Sequence, residues 1–337
     1  MTLRFPPRQT LALTPTPLQP LDRVSADLGG PRLWVKRDDL THTSLSGNKL
    51  RKLEFVLARA LAEGCDTLIT CGGLQSNHCR STALLAAAQG LRCLLLLRGE
   101  RPERAEGNYL LDWLSGAEIR CYPRPEYQAR LPQLLAQAAE DCRARGRKPW
   151  IIPTGASDEV GIWGYIQASR ELAEDYRRLG LQPDWVISAT GSGGTLGGLT
   201  LGHEYFAPRT RVMGVAVCDD AQTFRAKVRQ DAQAMALDQE LELPTFADPV
   251  ILEDYLGPGY AEAGPEVFAS IRYLARREGL VLDPVYTGKA FYGLIQEIKA
   301  GRFKDCKNLV FVHTGGIFGL FPYSEQLASN SNPGLEA

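Results

Sequence analysis

Long hydrophobic runs are missing from this chain. Its apolar stretches, such as residues 93–97, are far shorter than the ~20 apolar residues that a membrane-spanning helix needs. The segment from Met1 to Thr10 contains Arg and Pro but no apolar core of the kind that a secretory signal carries. The segment from Ser329 onward is polar, which predicts a loose tail. We therefore expect a cytoplasmic protein with no membrane partner.

An excess of charge of one sign is also missing. The 337 residues include 38 Lys and Arg against 39 Asp and Glu, which gives a formal net charge of −1. This balance does not favour nucleic acid or an anionic membrane surface as a partner. The chain is long enough for two domains of ordinary size, each with its own core.

Patterns of metal ligands are missing too. The eight cysteines are scattered and include no Cys-x-x-Cys pair, which is typical of free thiols in a reducing compartment. The four histidines lie far apart and lack the spacing of zinc ligands; they are His42, His78, His203 and His313. We therefore expect no metal site.

Short apolar strands alternate with helical segments along most of the chain. Strands are predicted at residues 33–37, 67–71, 92–97, 119–122, 150–152, 185–189, 211–217, 250–252 and 309–312. Helices are predicted at residues 18–28, 49–63, 81–89, 108–115, 131–145, 161–178 and 265–277, within 223–239, and again after 289. This alternation favours βαβ units and an α/β fold with open, mostly parallel sheets.

The stretch at residues 46–55 is a loop of small residues that leads into a helix. Apolar residues recur at helical spacing from Leu50 onward. Ser46, Gly47 and Asn48 suit the turn and the helix cap, because Ser and Asn oxygens can accept from free backbone N–H groups. Lys49 then lies in the first turn, where the helix dipole disfavours a cation. Such a lysine is a candidate amine nucleophile. The alternative is an ordinary solvated lysine at the start of a helix.

Three glycine-rich turns follow predicted strands, at residues 72–77, 190–198 and 314–316. Ligands in open α/β sheets bind at the carboxyl ends of strands, so we expect these turns to meet at one crevice. The turn at 190–198 suits a phosphate, because its backbone N–H groups can surround an anion at a helix N-terminus. It matches neither the P-loop nor the dinucleotide fingerprint well. A tight turn without a ligand is the alternative.

Polar side chains accompany these turns. Ser76 and Asn77 stand at a helix start, where capping is the alternative to ligand binding, and Tyr260 and Tyr286 lie in turns, where packing is the alternative. A reactive lysine, a phosphate cradle and a crevice between two α/β lobes together point to a phosphorylated aldehyde cofactor. Pyridoxal 5′-phosphate fits this description, with Lys49 forming the Schiff base and the glycine turn holding the phosphate.

Five segments also carry a resemblance to a known family, namely residues 35–40, 46–54, 75–78, 283–290 and 313–316. They resemble the D-cysteine desulfhydrase and 1-aminocyclopropane-1-carboxylate deaminase family, which are pyridoxal-phosphate enzymes of the tryptophan-synthase-β fold. The resemblance spans residues 10–320 in order. It implies a smaller α/β domain, residues 50–165, within a larger cofactor-binding domain made of residues 1–49 and 166–337. The cofactor is expected in the crevice between the domains, and the protein is expected to be a homodimer.

The resemblance implies a role for each matching position. Lys49 corresponds to the Schiff-base lysine, and Ser76, Tyr260 and Tyr286 correspond to catalytic residues that face the substrate. Asn77 corresponds to a neighbour of the cofactor's ring hydroxyl, and Thr314 to the partner of its pyridine nitrogen. The other positions that match cofactor contacts are Lys52, Gly191, Ser192, Gly193, Gly194, Thr195 and Thr287.

Two positions separate the branches of this family. The deaminases carry Glu where this chain has Thr287, and Leu where it has Thr314. A carboxylate would keep the ring nitrogen protonated, whereas a hydroxyl tolerates a neutral pyridine, which should suffice when a sulfur group leaves quickly. The resemblance therefore implies a desulfhydrase that converts D-cysteine, a small amino-acid substrate, to pyruvate, sulfide and ammonia. The alternatives are an L-cysteate sulfo-lyase, a 1-aminocyclopropane-1-carboxylate deaminase and a cofactor-binding protein without turnover.

Overall fold

A computed structural model describes residues 3–328 of the chain. In this part of the chain, ten strands alternate with helices, as the sequence predicts. In chain order, the strands are β1 (Leu18–Pro20), β2 (Arg32–Lys36), β3 (Thr67–Gly73), β4 (Arg92–Arg98), β5 (Glu118–Tyr122), β6 (Pro149–Ile151), β7 (Trp185–Thr190), β8 (Arg211–Ala216), β9 (Val250–Leu252) and β10 (Asn308–Val312). The polar tail from Ser329 lies outside the described residues.

The helices fill the connections between these strands. In chain order, they are α1 (Asp22–Leu28), α2 (Asn48–Ala62), α3 (Asn77–Ala88), α4 (Gly107–Leu114), α5 (Arg124–Ala144), α6 (Trp163–Arg178), α7 (Gly194–Phe206), α8 (Ala221–Asp238), α9 (Pro265–Glu278), α10 (Thr287–Lys299) and α11 (Ser324–Ala328). Between residues 3 and 328, no helix combines the length and the apolar character that crossing a membrane requires.

The strands form two sheets. A six-stranded sheet has the order β1-β2-β10-β7-β8-β9, and a four-stranded sheet has the order β5-β4-β3-β6. Every pair is parallel except β1 with β2. The α/β class with open, mostly parallel sheets is therefore confirmed. Because the sheets are open and parallel, the turns that carry ligand-binding residues lie at their carboxyl edges.

Each sheet is covered by helices on both faces, which explains why its strands are apolar on both sides. In β7, the consecutive residues Val186 and Ile187 face opposite sides of the sheet. Ile187 packs towards α9 and α10, and Val186 packs with α6 and α7. In β3, Ile69 packs against α5, and Leu68 packs on the side of α2 and α3. This two-sided burial fixes the register of the strands and hence the positions of their carboxyl ends.

Three predicted helices begin elsewhere in the structure. The helix predicted over residues 81–89 begins at Asn77. The helix predicted over residues 18–28 begins only at Asp22, because Leu18–Pro20 pairs with β2 as an edge strand, where Pro is tolerated. The helix predicted over 131–145 begins earlier, at Arg124. Pro132 lies inside this helix, while Pro125 takes the first turn.

Candidate active site

A cavity of about 340 Å³ lies where the carboxyl ends of both sheets meet. All three predicted glycine-rich turns contribute to its wall, which is the convergence that the strand order predicts. The predicted site residues that line it are Lys49, Ser76, Asn77, Gly191, Ser192, Gly193, Thr195, Tyr260, Tyr286 and Thr314. Lys52, Gly194 and Thr287 are not among the lining residues.

Gly47, and not a side-chain oxygen, caps the helix that carries Lys49. The φ angle of Gly47 is 105°, and a Cβ atom there would lie 2.6 Å from the carbonyl oxygen of Thr314. That carbonyl accepts a hydrogen bond from the N–H of Asn48 at 3.1 Å. The predicted side-chain cap by Ser46 or Asn48 is therefore wrong, whereas Gly47, also named for this turn and cap, does occupy the cap position. Only glycine allows the two loops to approach this closely.

The Lys49 amine faces the cavity with no hydrogen-bond acceptor among the described residues. Its Nζ atom lies 6.0 Å from the ring centre of Tyr286. Burial lowers the pKa of Lys49 to about 8, and the nearby Asp283 carboxylate opposes this only in part. A neutral amine is therefore accessible near physiological pH. The prediction of a nucleophilic lysine rests on this environment as well as on sequence position.

The turn between β7 and α7 presents backbone N–H groups at a helix N-terminus. Gly193 has a φ angle of 85°, and α7 begins at Gly194. At Gly191, a Cβ atom would lie 2.8 Å from the ring of Tyr286, so the turn and that ring pack without room for a side chain. Asn48 ties the turn to α2, since its Nδ2 atom donates to Thr195 Oγ1 at 2.9 Å. This geometry suits an anion such as a phosphate.

Lys52 lies directly behind this turn and is fully buried. Its Nζ atom donates to Ser157 Oγ at 2.9 Å, and the same oxygen accepts from the N–H of Gly194 at 3.1 Å and donates to Ser192 Oγ at 2.8 Å. Burial and the neighbouring Lys49 ammonium hold the pKa of Lys52 well below its usual value. A bound dianion would oppose both effects, so the cluster is poised for a phosphate group.

Ser76 and Asn77 begin α3 at the cavity wall. The Ser76 hydroxyl caps the helix by accepting from the N–H of Cys79 at 3.2 Å. Asn77 Oδ1 accepts from Asn108 Nδ2 at 3.0 Å, which leaves the Asn77 NH₂ group to donate elsewhere. Gln75 holds Asn108 in turn, because its Oε1 atom accepts from the N–H of Asn108 at 2.8 Å. Asn77 is thus fixed as a hydrogen-bond donor towards the cavity.

Tyr260 and Tyr286 form a hydrogen-bonded pair. Their hydroxyl oxygens lie 2.7 Å apart, and their rings meet edge to face at 5.9 Å. Burial raises the pKa of Tyr260 to about 12, and burial together with the Tyr260 hydroxyl raises the pKa of Tyr286 well above its usual value. Both phenols are therefore neutral and able to donate a proton.

Thr287 is not among the residues that line the cavity, and its predicted contact with the cofactor stays a prediction. Its hydroxyl donates to Asp283 Oδ1 at 2.7 Å, and its N–H donates to the same atom at 2.9 Å. Asp283 Oδ2 accepts from the N–H groups of Val285 and Tyr286, both at 2.9 Å. The buried carboxylate thereby holds the loop that carries Tyr286, and Thr287 serves this loop.

Several site residues were not predicted from the sequence. Ser157 follows the predicted strand at 150–152, and Gly155 in the same turn has a φ angle of 70°. Ser157 and Gly155 could have been predicted, because their turn is a fourth one that contains glycine and follows a strand. Arg98 follows the predicted strand at 92–97 in the same way and lines the cavity. Asn108 lies within a predicted helix, and no sequence signal distinguished it.

These residues fit pyridoxal 5′-phosphate. The glycine cradle with Lys52 would hold the phosphate, Lys49 would bind the aldehyde carbon, and Asn77 would donate to the ring hydroxyl. Thr314 lines the cavity beside the helix start of Lys49. The residues 3–328 contain no cluster of side chains that could hold a metal ion. The cavity thus has the donor set that a phosphorylated aldehyde cofactor would need, with a lysine facing it.

Comparisons with known proteins place this chain in a family. The model of the family described as pyridoxal-phosphate dependent enzymes matches residues 9–315. Two curated relatives, from Pyrococcus abyssi and Pyrococcus furiosus, are 43% and 40% identical to this chain. Each covers 96% of this chain over 96% of its own length, and each is described as a putative 1-aminocyclopropane-1-carboxylate deaminase.

Solved structures agree with these matches. The structure of a homologue of 1-aminocyclopropane-1-carboxylate deaminase superposes with a TM-score of 0.87 at 38% identity, covering 95% of both chains. An O-ureido-L-serine synthase at 17% identity shares the fold, with a TM-score of 0.68 over 96% of this chain and 95% of its own.

The chain therefore belongs to the pyridoxal-phosphate dependent enzyme family, within the D-cysteine desulfhydrase and 1-aminocyclopropane-1-carboxylate deaminase branch that its motifs resemble. It is a deaminating lyase, and its cofactor is pyridoxal phosphate.

Proposed function

We propose that this chain is a β-elimination lyase whose preferred substrate is D-cysteine. The reaction is D-cysteine plus water to pyruvate, hydrogen sulfide and ammonia. The observation that carries the proposal is the placement of Lys49 and the hydrogen-bonded pair of Tyr260 and Tyr286 on one cavity wall. A β-elimination needs a base for the Cα proton and an acid for the leaving group, and these side chains supply both.

The proposed roles follow from protonation states. The bound cofactor supplies an electron sink for the pair released from the Cα–H bond. Lys49, with its lowered pKa, accepts the Cα proton once its amine is free. The Cβ–S bond breaks with its electron pair on sulfur, and Tyr260 or Tyr286 donates a proton to that sulfur. Ser76 lines the cavity and is proposed to lie beside the reacting carbon and to hold the substrate carboxylate.

Cofactor contacts are proposed for the remaining predicted residues. Thr314 is assigned to the pyridine nitrogen, and its hydroxyl tolerates a neutral ring. Lys52 is assigned to the phosphate, together with the turn from Gly191 to Thr195. Gly194 is assigned to the same turn, where its N–H group donates to Ser157 Oγ. We further propose a cytoplasmic homodimer, with residues 50–165 as the smaller domain and residues 1–49 and 166–337 as the larger one.

The test is to mix the holoenzyme with D-cysteine and, separately, with L-cysteine, and to measure sulfide and pyruvate together. We expect equimolar release of both products from D-cysteine and little from the L form. Release chiefly from L-cysteine would contradict the proposed enantiomer. A change in cofactor absorbance without either product would contradict the substrate and keep the cofactor site.

One second activity has a specific observation in its favour. The two pyrococcal relatives are described as putative 1-aminocyclopropane-1-carboxylate deaminases. Release of 2-oxobutyrate from 1-aminocyclopropane-1-carboxylate, measured beside the cysteine assays, would support that activity. The threonines at positions 287 and 314 favour the desulfhydrase, because the deaminases that this chain resembles carry Glu and Leu there.

A further inference from the structure

Arg98 is a cation on the cavity wall that none of the proposed steps uses. It is the last residue of β4, and it pairs in register with Gly73 at the end of β3. Its guanidinium carbon lies 4.8 Å from the ring centre of Tyr260 and 6.0 Å from that of Tyr127. The side chain is half-buried and lines the cavity. Aromatic faces on two sides hold the guanidinium at the carboxyl edge of the sheet.

No carboxylate neutralises Arg98 within residues 3–328. The acid among the cavity-lining residues is Asp219, whose Oδ2 atom instead accepts a hydrogen bond from Cys218 Sγ at 3.1 Å. On the neighbouring strand β5, by contrast, Arg120 pairs with both Glu118 and Asp141. An arginine held in a cavity without a counter-ion is available to a ligand anion.

The position of Arg98 relates it to one part of the substrate. From Lys49, the proposed base for the Cα proton, the wall continues through the ring of Tyr286 to the hydroxyl of Tyr260, and then to Arg98. A substrate that extends from Cα along this wall therefore brings its β-substituent to the tyrosine pair, with the guanidinium behind it.

We propose that Arg98 forms, with Tyr260, a subsite for an anionic sulfur group on Cβ of the substrate. This inference rests on the proposed β-elimination and names the class of leaving group that the site selects. Both kinds of leaving group present negative charge to Arg98. A sulfonate is already an anion in the bound substrate, whereas a thiol sulfur gains negative charge as the Cβ–S bond breaks. With cysteate, the Cβ–S bond breaks with its pair on sulfur, and sulfite leaves; pyruvate and ammonia follow after addition of water.

The test compares substrates that differ in the charge of the β-substituent. Initial rates of pyruvate formation are measured with cysteate, cysteine and β-chloroalanine, each in the enantiomer that the holoenzyme uses. The variants are R98Q, which removes the charge, and R98K, which keeps it. The matched control is R92Q, which removes the same charge from the exposed, opposite end of β4.

We expect R98Q to lower kcat/KM for cysteate by about 10- to 100-fold, the usual range for a charge-assisted hydrogen bond. The same variant should change kcat/KM for the uncharged β-chloroalanine less than about threefold. R98K should recover part of the loss with cysteate, cysteine should fall between the two other substrates, and R92Q should match the parent protein. The absorbance of bound cofactor reports that each variant is folded and loaded.

Two results would overturn the subsite. One is an equal loss for cysteate and β-chloroalanine in R98Q, which would mean a structural role for Arg98. The other is a parent enzyme that neither turns over cysteate nor changes its cofactor absorbance on adding it, while forming pyruvate from β-chloroalanine. That second result leaves the proposed β-elimination intact. Absence of pyruvate from all three substrates would instead refute the proposed function, and the subsite with it.

Discussion

At Lys49, two environmental effects act on one pKa in opposite directions. Burial removes water from the ammonium and lowers the pKa, whereas the Asp283 carboxylate raises it, and the balance is a pKa of about 8 instead of 10.5. At neutral pH this difference gives roughly 300 times more neutral amine than an ordinary lysine has. The lowered pKa of this residue therefore comes from its surroundings in the folded chain.

This pKa predicts how cofactor attachment depends on pH. Only the neutral amine attacks an aldehyde, so the rate at which the cofactor-free protein binds pyridoxal phosphate covalently should rise about tenfold per pH unit and level off above about pH 8. Rapid-mixing absorbance measurements between about pH 6 and pH 10 report this rate. The reference is Nα-acetyllysine, which keeps a free ε-amine of ordinary pKa. Its rate of reaction with pyridoxal phosphate should keep rising over the same range. A protein rate that still rises at pH 10 would contradict the lowered pKa.

At the level of elements, α4 supports the site through α3. Asn108 is fully buried, and its Nδ2 atom donates both to Asn77 Oδ1 at 3.0 Å and to the carbonyl oxygen of Gln75 at 2.9 Å. These bonds fix which way the Asn77 amide points. We therefore interpret Asn108 as a positioning residue for Asn77.

An isosteric exchange tests this interpretation. Asn108→Asp removes the donor without changing the volume, so the Asn77 amide should lose its fixed orientation. We expect about a tenfold weaker cofactor affinity, from a lost hydrogen bond of about 1–1.5 kcal/mol, and a shifted absorbance maximum of the bound cofactor. Gln133→Glu on the exposed face of α5 makes the same amide-to-acid change as a control. An unchanged absorbance maximum in the Asn108→Asp variant would assign Asn108 a structural role only.

Local sequence signals predicted some elements well and missed others for identifiable reasons. The alternation of apolar strands and helices indicated the α/β class, because burial on both faces of a parallel sheet leaves a continuous apolar run. The side-chain cap predicted for α2 was wrong, because the start of this helix depends on the approach of Gly47 to Thr314, which is distant in sequence. Likewise, Thr287 matched a family motif, but its hydroxyl is already used by Asp283.

For the whole molecule, the strand order brings the glycine-rich turns to one cavity, and this was predictable from the sequence. The surface through which two copies would associate was not predictable from the sequence, since it depends on which apolar residues stay exposed. On α4, Trp113 is 59% and Leu114 60% exposed, and in the adjoining 3₁₀ turns Ile317 is 40% and Phe321 57% exposed. An apolar patch of this kind is typical of an interface.

We predict that this patch forms the proposed homodimer interface. The variant W113E/L114E places two charges in it and should convert the dimer to a monomer, as measured by size-exclusion chromatography with light scattering. L237E places a charge on an exposed apolar residue outside this patch, on α8, where Leu237 is 81% exposed, and should leave the dimer intact. A monomeric parent protein would contradict the dimer, and a dimeric W113E/L114E protein would contradict this interface.

Covalent attachment of the cofactor to Lys49 is the step on which every other proposed role in this cavity depends. The most direct measurement is reduction of the purified holoenzyme with borohydride, followed by mass spectrometry of its peptides. We expect a pyridoxyl-phosphate adduct on Lys49 and its absence in the Lys49→Ala protein. An adduct on Lys52 or Lys227 instead, or no adduct on the parent protein, would contradict the assignment of Lys49.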